Sequence, residues 1–251
     1  YSTDGGTTWT EVNGTSFTLP EGEYAEGDVV ARQTDPAGNT SDNGQLGEVV
    51  IDTSAPDAPT IDATDGNELS GTAEAGSTVN VDTNGDGETD QTATADGDGN
   101  WSVTPDTPLE DGTEVSATAT DAAGNESQPT TETVDAAAPA APVIVDATDD
   151  TTPLTDDLAS GDSTNDLTPT LNGTAEAGST VEVFQDGTSV GTVTADGDGD
   201  WSFTPASELA EGEVSFTAEA TDAVGNTSPT SDSFDLTLDT TAPTNNDGTH
   251  T

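Results

Sequence analysis

Carboxylates are the only side chains abundant enough in this sequence to do chemistry. Of 251 residues, 51 are Asp or Glu, one is His (His250) and one is basic (Arg32), giving a formal charge of −50. Cys and Met are absent, so neither disulfides nor thiol chemistry has a part here. A catalyst would need an activated nucleophile, a Schiff-base amine or a cationic clamp for developing charge. A chain without Cys or Lys, with one Arg and a single His in a polar tail, offers none of these. Two carboxylates could serve a glycosidase, but any pair in a field of 51 meets that description, so the expectation is a non-enzymatic protein. Nucleic acid and acidic membrane surfaces need a basic face and are excluded as partners. No apolar run approaches the roughly 18 residues that membrane insertion needs. A hard divalent cation suits this inventory best, because calcium takes six to eight oxygens and needs no nitrogen or sulfur.

The elements that would position those acids repeat along the chain. Gly71-Thr-Ala-Glu-Ala-Gly-Ser-Thr-Val79 recurs at 173–181, and Ala95-Asp-Gly-Asp-Gly-Asn-Trp-Ser-Val-Thr-Pro105 recurs at 195–205 with two changes. Thr120-Asp-Ala-Ala-Gly-Asn125 has counterparts at 34–39 and 221–226, and an Asp-x-x-Ala-Pro segment closes each unit at Asp52, Asp135 and Asp239. Val, Ile, Leu and Phe make up only 37 residues, a composition that with this charge would fit disorder. Low-complexity disorder does not keep three motifs in one order, so the repeats argue for folded domains. Asp35 to Asp121 is 86 residues and Asp121 to Asp222 is 101, the size of a small domain rather than a solenoid rung.

Within each unit the apolar period is 2. Thr78-Val-Asn-Val-Asp82, Trp101-Ser-Val-Thr104 and Glu114-Val-Ser-Ala-Thr-Ala-Thr120 alternate, separated by Gly, Asp and Pro turns. Seven strands are expected in the second unit, near 58–63, 69–74, 78–83, 91–95, 101–104, 115–120 and 131–134. Seven short returning strands make an immunoglobulin-like sandwich without its Cys pair. The fold class is therefore all-β, tandem immunoglobulin-like antiparallel sandwiches joined end to end. The expected core is Trp101, Val79, Val81, Val103 and Val115, with the matching set in the third unit. Expected domains are 1–54, an incomplete unit with strands through Phe17, Val29–Ala31 and Val49–Ile51; 55–137; 138–241, with a polar insertion near 149–166; and a 242–251 linker. Tyr1 in mid-strand, with no signal peptide before it, is expected to mark an internal segment of a longer chain.

These motifs resemble the bacterial immunoglobulin-like repeats of giant type I-secreted RTX adhesins. The residues that carry the likeness are 71–79, 96–101, 120–125 and 135–139, with their third-unit counterparts. The resemblance implies an extracellular, calcium-dependent extender of biofilm adhesins on the bacterial surface. Many repeats in series would hold a distal ligand-binding domain away from the cell, with neighbouring repeats of the same chain as partners. The RTX nonapeptide array, retention module and ligand-binding domain of such adhesins are not among these residues.

Counting loops through an up-and-down sandwich places the repeated acids. Alternate loops fall at the end where the chain enters each domain. In the second unit these carry Glu74, Asp96 with Asp98, and Asp121 with Asn125, facing Asp52 of the arriving segment. In the third unit Glu176, Asp196, Asp198, Asp222 and Asn226 face Asp135; Asp35 and Asp239 are the corresponding first-unit and closing acids. Bare carboxylates so grouped would repel, and calcium would turn the repulsion into a clamp. Alternatively these are only acidic turns, since Asp-Gly favours hairpins for backbone reasons. A local calcium loop is also possible at Asp82, Asn84, Asp86 and Asp90, which match D-x-N-x-D-G, although the twelfth position is Ala93 where an EF-hand has Glu. Two other readings stay open: a carbohydrate- or protein-binding module using Trp9, Trp101 or Trp201, and a halophile-type acidic surface. Buried Trp insensitive to glycans argues against the first of these, and stability restored by NaCl alone favours the second.

Strands of about six residues rising about 3.3 Å each make a domain with its loops some 35–40 Å long. With the short Pro-containing segments 53–59 and 136–142, the chain is expected to be a monomeric rod on the order of 100 Å or more. Small-angle scattering in calcium checks this, and a compact globule is the contrary outcome.

Overall fold

The computed structural model describes residues 1–152 and 155–242, and all of its regular elements there are strands. The terminal linker beyond 242, His250, and residues 153–154 of the insertion lie outside the described residues. The chain forms two compact units, one of residues 1–62, 67–108 and 113–133, the other of 63–66, 109–112 and 134 onward.

In the first unit β1 (Gly22–Tyr24) pairs with β4 (Val49–Ile51), and β2 (Val30–Ala31) with β3 (Gly44–Gln45). Phe17, expected on a strand, lies outside regular structure and stacks on Tyr1 with ring centroids 4.2 Å apart. Arg32 lies over the Trp9 ring, 3.9 Å from its centroid. Further along come β5 (Leu69–Thr72), β6 (Thr78–Asp82), β7 (Gln91–Thr94), β8 (Asn100–Val103), β9 (Glu114–Thr120) and β10 (Thr130–Thr133). Two sheets result, β5-β8 and β10-β9-β6-β7. The expected first strand, 58–63, runs beside β5 through two backbone–backbone bonds, Thr60 N–H to Thr72 O and Asp62 N–H to Ser70 O, each 2.8 Å, with side-chain bonds of Thr60 and Asp62 beside them. Pro59, within that segment, has no N–H to extend the ladder.

The pairing departs from a simple up-and-down order. β5 pairs with β8 and β6 with β9, because the chain changes layer between them. Changing layer lets short strands build two apolar faces against one core. Alternation is read out in β9, where Val115, Ala117 and Ala119 are buried while their neighbours are not. Val79, Val81 and Trp101 are buried as expected; Val103 is only half-buried and Leu69 fills the core instead.

The second unit repeats the plan with β11 (Val143–Thr148), β12 (Asp157–Leu158), β13 (Ser163–Thr164), β14 (Thr170–Thr174), β15 (Thr180–Gln185), β16 (Thr188–Thr194), β17 (Asp200–Phe203), β18 (Gly212–Thr221) and β19 (Phe234–Leu238). Its sheets run β12-β11-β14-β17 and β13-β19-β18-β15-β16, with β13 parallel to β19. The insertion near 149–166, expected to be polar and without pattern, is built into the fold. Leu158 pairs with Ala147, and the buried Asp149 accepts the Thr164 hydroxyl at 2.6 Å.

Trp101 and Trp201 close their cores over Gly71 and Gly173, which face them across β5-β8 and β14-β17. Both indole N–H groups are buried without an acceptor. Burying some 200 Å² of ring at about 25 cal/mol/Å² is worth about 5 kcal/mol, more than the roughly 1–3 kcal/mol that an unmade hydrogen bond costs. A Cβ on Gly71 would strike the Thr60 carbonyl, and one on Gly173 would strike the Val143 carbonyl and the Trp201 ring. Gly71→Ala and Gly173→Ala should each destabilise by about 3 kcal/mol. Gly97→Ala, with nothing within 4 Å of its Cβ position, should stay within about 0.5 kcal/mol. Urea melts of the three variants check the contrast.

Candidate functional site

Three loops in each complete domain spring from one row of the sheet. Thr78, at the start of β6, pairs with Thr94 and with Thr120. The segments beyond them are the loops of Glu74, of Asp96 with Asp98, and of Asp121 with Asn125. The first two are laced together by Gly76 N–H to Ala95 O at 3.0 Å and Ala73 N–H to Gly99 O at 2.8 Å. Thr180, Thr194 and Thr221 form the same row in the second unit, above Glu176, Asp196 with Asp198, and Asp222 with Asn226.

The Asp-x-x-Gly-Asn loops share one construction. Asp121 Oδ1 accepts the N–H groups of Ala123 and Asn125 at 2.8 and 2.9 Å, and Oδ2 accepts Asn125 Nδ2 at 2.8 Å. Asp222 accepts the N–H groups of Val224, Gly225 and Asn226 and the Asn226 amide at 2.8 Å. Asp35 holds Ala37 and Asn39 in the same way. The Gly of each loop needs a left-handed φ: 90° at Gly38, 93° at Gly124 and 104° at Gly225. The second amide hydrogen of Asn125 reaches the backbone carbonyl of Asp52 at 3.2 Å, and that of Asn226 reaches the carbonyl of Asp135 at 2.8 Å.

Hydrogen bonding to the charged form holds these carboxylates below the usual range. Asp35 and Asp121 are lowered chiefly by the Asn39 and Asn125 side chains, and Asp96 by the Asn100 N–H. At Asp222 burial pushes upward, but the Asn226 amide and three N–H groups outweigh it. Asp82 is likewise opposed by burial and lowered by a ring of N–H donors. Its Oδ1 accepts the N–H groups of Asn84 and Gly85, and its Oδ2 that of Gly87. Asn84 Oδ1 accepts the Asp86 N–H, and Asp90 accepts the Thr83 N–H and hydroxyl. The D-x-N-x-D-G segment is thus a compact turn wound on Asp82.

Calcium needs six to eight oxygens at about 2.3–2.6 Å. Among the described residues no group of three or more His, Cys, Asp or Glu side chains could hold a metal ion. Glu74, Asp98, Glu176 and Asp198 are exposed, and Asp52, Asp135 and Asp239 each turn a carboxylate oxygen to the N–H two residues on. Sequence reasoning missed the grips on the closing segments: Thr64 O takes the Asp135 N–H at 3.0 Å, and Thr164 O takes the Asp239 N–H at 2.9 Å. Thr64 and Thr164 each precede the Asp-Gly-Asp-Gly motif, at Asp96 and Asp196, by 32 residues, but their spacing from the other shared motifs differs, so the sequence carries little signal for them. It also missed Asp166, buried with Oδ2 unpartnered, for which the sequence carries no signal.

Residues 55–136 match the family model of the bacterial Ig domain, and residues 138–240 that of the bacterial Ig-like domain. The two complete domains are bacterial immunoglobulin-like domains. No curated protein matches the chain. Among solved structures, these domains resemble a biofilm-associated protein's BSP domain, 26% identical over 74% of this chain and 30% of that one, with a TM-score of 0.29. They also resemble a tetra-tandem repeat in the extending region of a large adhesion protein, 27% identical over 84% of this chain and 55% of that one, with a TM-score of 0.31. The chain thus spans less than two thirds of either. Fibronectin(III)-like modules of Clostridium thermocellum CbhA are 18% identical over 72% of this chain and 93% of theirs, at a TM-score of 0.38.

The turn acids along the chain, inside these immunoglobulin-like domains and before them, set an unusual pH response. Asp4 is lowered furthest, to about 2, first by the Ser2 hydroxyl and then by Thr8. A carboxylate lowered on folding contributes fully above its unfolded value near about 4 and loses that contribution as pH falls through its folded value. Before that point, protonation of the many exposed acids relieves like-charge repulsion. At low ionic strength the melting temperature should rise as pH drops from 7 toward about 4 and fall between about pH 3 and 2. A monotonic decline from pH 7 would contradict this.

Proposed function

We propose that this chain is an extender segment of a large bacterial cell-surface adhesin, exported by type I secretion, that holds a distal ligand-binding domain away from the cell. The observation that carries the reading is the tandem placement of two complete domains whose matched spans, 55–136 and 138–240, leave one residue between them. So short a join transmits position and tension and leaves little slack. The segment itself performs no reaction. No helix among the described residues is long and apolar enough to cross a membrane.

Calcium belongs to this proposal through charge rather than through a formed cage. At −50 with one base, the folded chain lacks internal counter-ions. The exposed acids at the upstream loops, Glu74, Asp98, Glu176 and Asp198, can recruit divalent ions that bind the folded state in preference to the unfolded. Thermal melts at low ionic strength should show a transition that rises with calcium and drops in chelator. Equal melts in both, or full rescue by NaCl, would remove calcium from the proposal.

The extender role is tested by pulling single molecules from their ends. Two cooperative events are expected, releasing about 290 and about 360 Å of unfolded chain for the two complete domains. Saturable binding of glycans to the isolated chain would instead favour a carbohydrate-binding module.

A further inference from the structure

We infer that Asn125 and Asn226 are amide latches, by which each complete domain captures the closing peptide of the repeat before it without a metal ion. The inference deepens the extender reading and rests on it.

The closing Asp of a repeat is held so that its backbone carbonyl faces outward to the next domain. The Asp135 N–H is taken by Thr64 O and the next N–H, of Ala136, by Asp111 Oδ1 at 3.1 Å. Asp239 and Thr240 are held alike by Thr164 O and Glu211 Oε1. One oxygen of the closing side chain, Oδ1, is turned to its own turn, for Asp52, Asp135 and Asp239 accept there the N–H groups of Ser54, Ala137 and Thr241. In both complete domains the backbone carbonyl is met by the Asn of the Asp-x-x-Gly-Asn loop, at 3.2 Å from Asn125 and 2.8 Å from Asn226.

The latch is preorganised and chemically specific. One amide hydrogen is fixed on Asp121 or Asp222 at 2.8 Å, which aims the other at the arriving carbonyl. Both neighbours of the amide are acceptors, so its nitrogen end must face them. An Asp in its place could not donate, and it would set a second negative charge against the first. An ion at the same place would reverse these preferences, since calcium takes oxygen and favours carboxylate. Asn39, fixed by Asp35 at 2.8 Å, presents the same amide, and Asp239 the same gripped peptide. The partner that both surfaces fit is a further immunoglobulin-like repeat, which would offer an Asp-x-x-Ala-Pro close to Asn39 or an Asp-x-x-Gly-Asn loop to Asp239.

The test is amide hydrogen exchange by NMR on the full chain, in chelator and in calcium, at Ser54, Ala136 and Ala137. Asn125→Ala and Asn125→Asp should each speed exchange at Ser54 by roughly three- to tenfold, the worth of one hydrogen bond. Asn226→Ala and Asn226→Asp should do the same at Ala136 and Ala137. Asn39→Ala, which loses only the bond to Asp35, should change none of the three sites, and unchanged core amides establish that each variant is folded. Wild-type protection that disappears in chelator, or Asp variants that match wild type, would overturn the latch in favour of an ion. The extender reading stands or falls on the pulling and glycan experiments, which do not depend on this exchange.

Discussion

A chain with 51 acids and one Arg cannot answer carboxylates with cations of its own. The structure answers them with N–H groups. Asp121, Asp222, Asp35, Asp96 and Asp82 each gather two or more backbone donors from the turn that follows them. Turn donors are the right currency here because they are fixed by the backbone and add no side-chain entropy cost. The price is glycine at the left-handed position of each loop. The same rule reaches inside the second unit, where the buried Asp149 is met by a threonine hydroxyl instead of a base.

Satisfied in this way, acidic loops can be copied from domain to domain without each needing a matched partner charge. The loops carry one conserved geometry, while the cores beneath them differ. Val103 is half-buried in one domain, whereas Phe203 is buried at the same position in the next. Gly71 and Gly173 keep the place where tryptophan closes the sandwich. Small cores, each closed by one Trp, then suffice, because the turn acids are paired within their own loops.

Much of this was legible in the residues. Alternation located β6, β8 and β9 to within a residue, since half-buried strands must show period 2. Loop counting put Glu74, Asp96 and Asp121 at one end, because consecutive antiparallel strands return to it whatever their neighbours. Strand order was not legible: nothing in a period of 2 tells β5 to pair with β8 rather than with β6. Nor was the choice between ligand and turn. Asp-x-x-Gly-Asn has the composition of both, and the turn N–H groups gathered on Oδ1 of Asp121 and Asp222 leave no mark in the sequence.

The position of asparagine at the joins follows from the same scarcity of positive charge. A lysine or arginine reaching for a closing carbonyl would be drawn off by any of the surrounding acids, since its charge attracts them all. A neutral amide is not attracted at range and acts only at contact. It carries two hydrogens in one plane, so one can be anchored on the loop's own Asp while the other crosses to the arriving peptide. The anchor removes the rotational freedom that would otherwise be lost on contact, which makes a single modest hydrogen bond worth keeping. A main-chain carbonyl is the fitting acceptor, because it is present whatever side chains the closing segment carries. Asp52 and Asp135 are followed by different residues, Thr-Ser and Ala-Ala, yet offer the same group to the same amide.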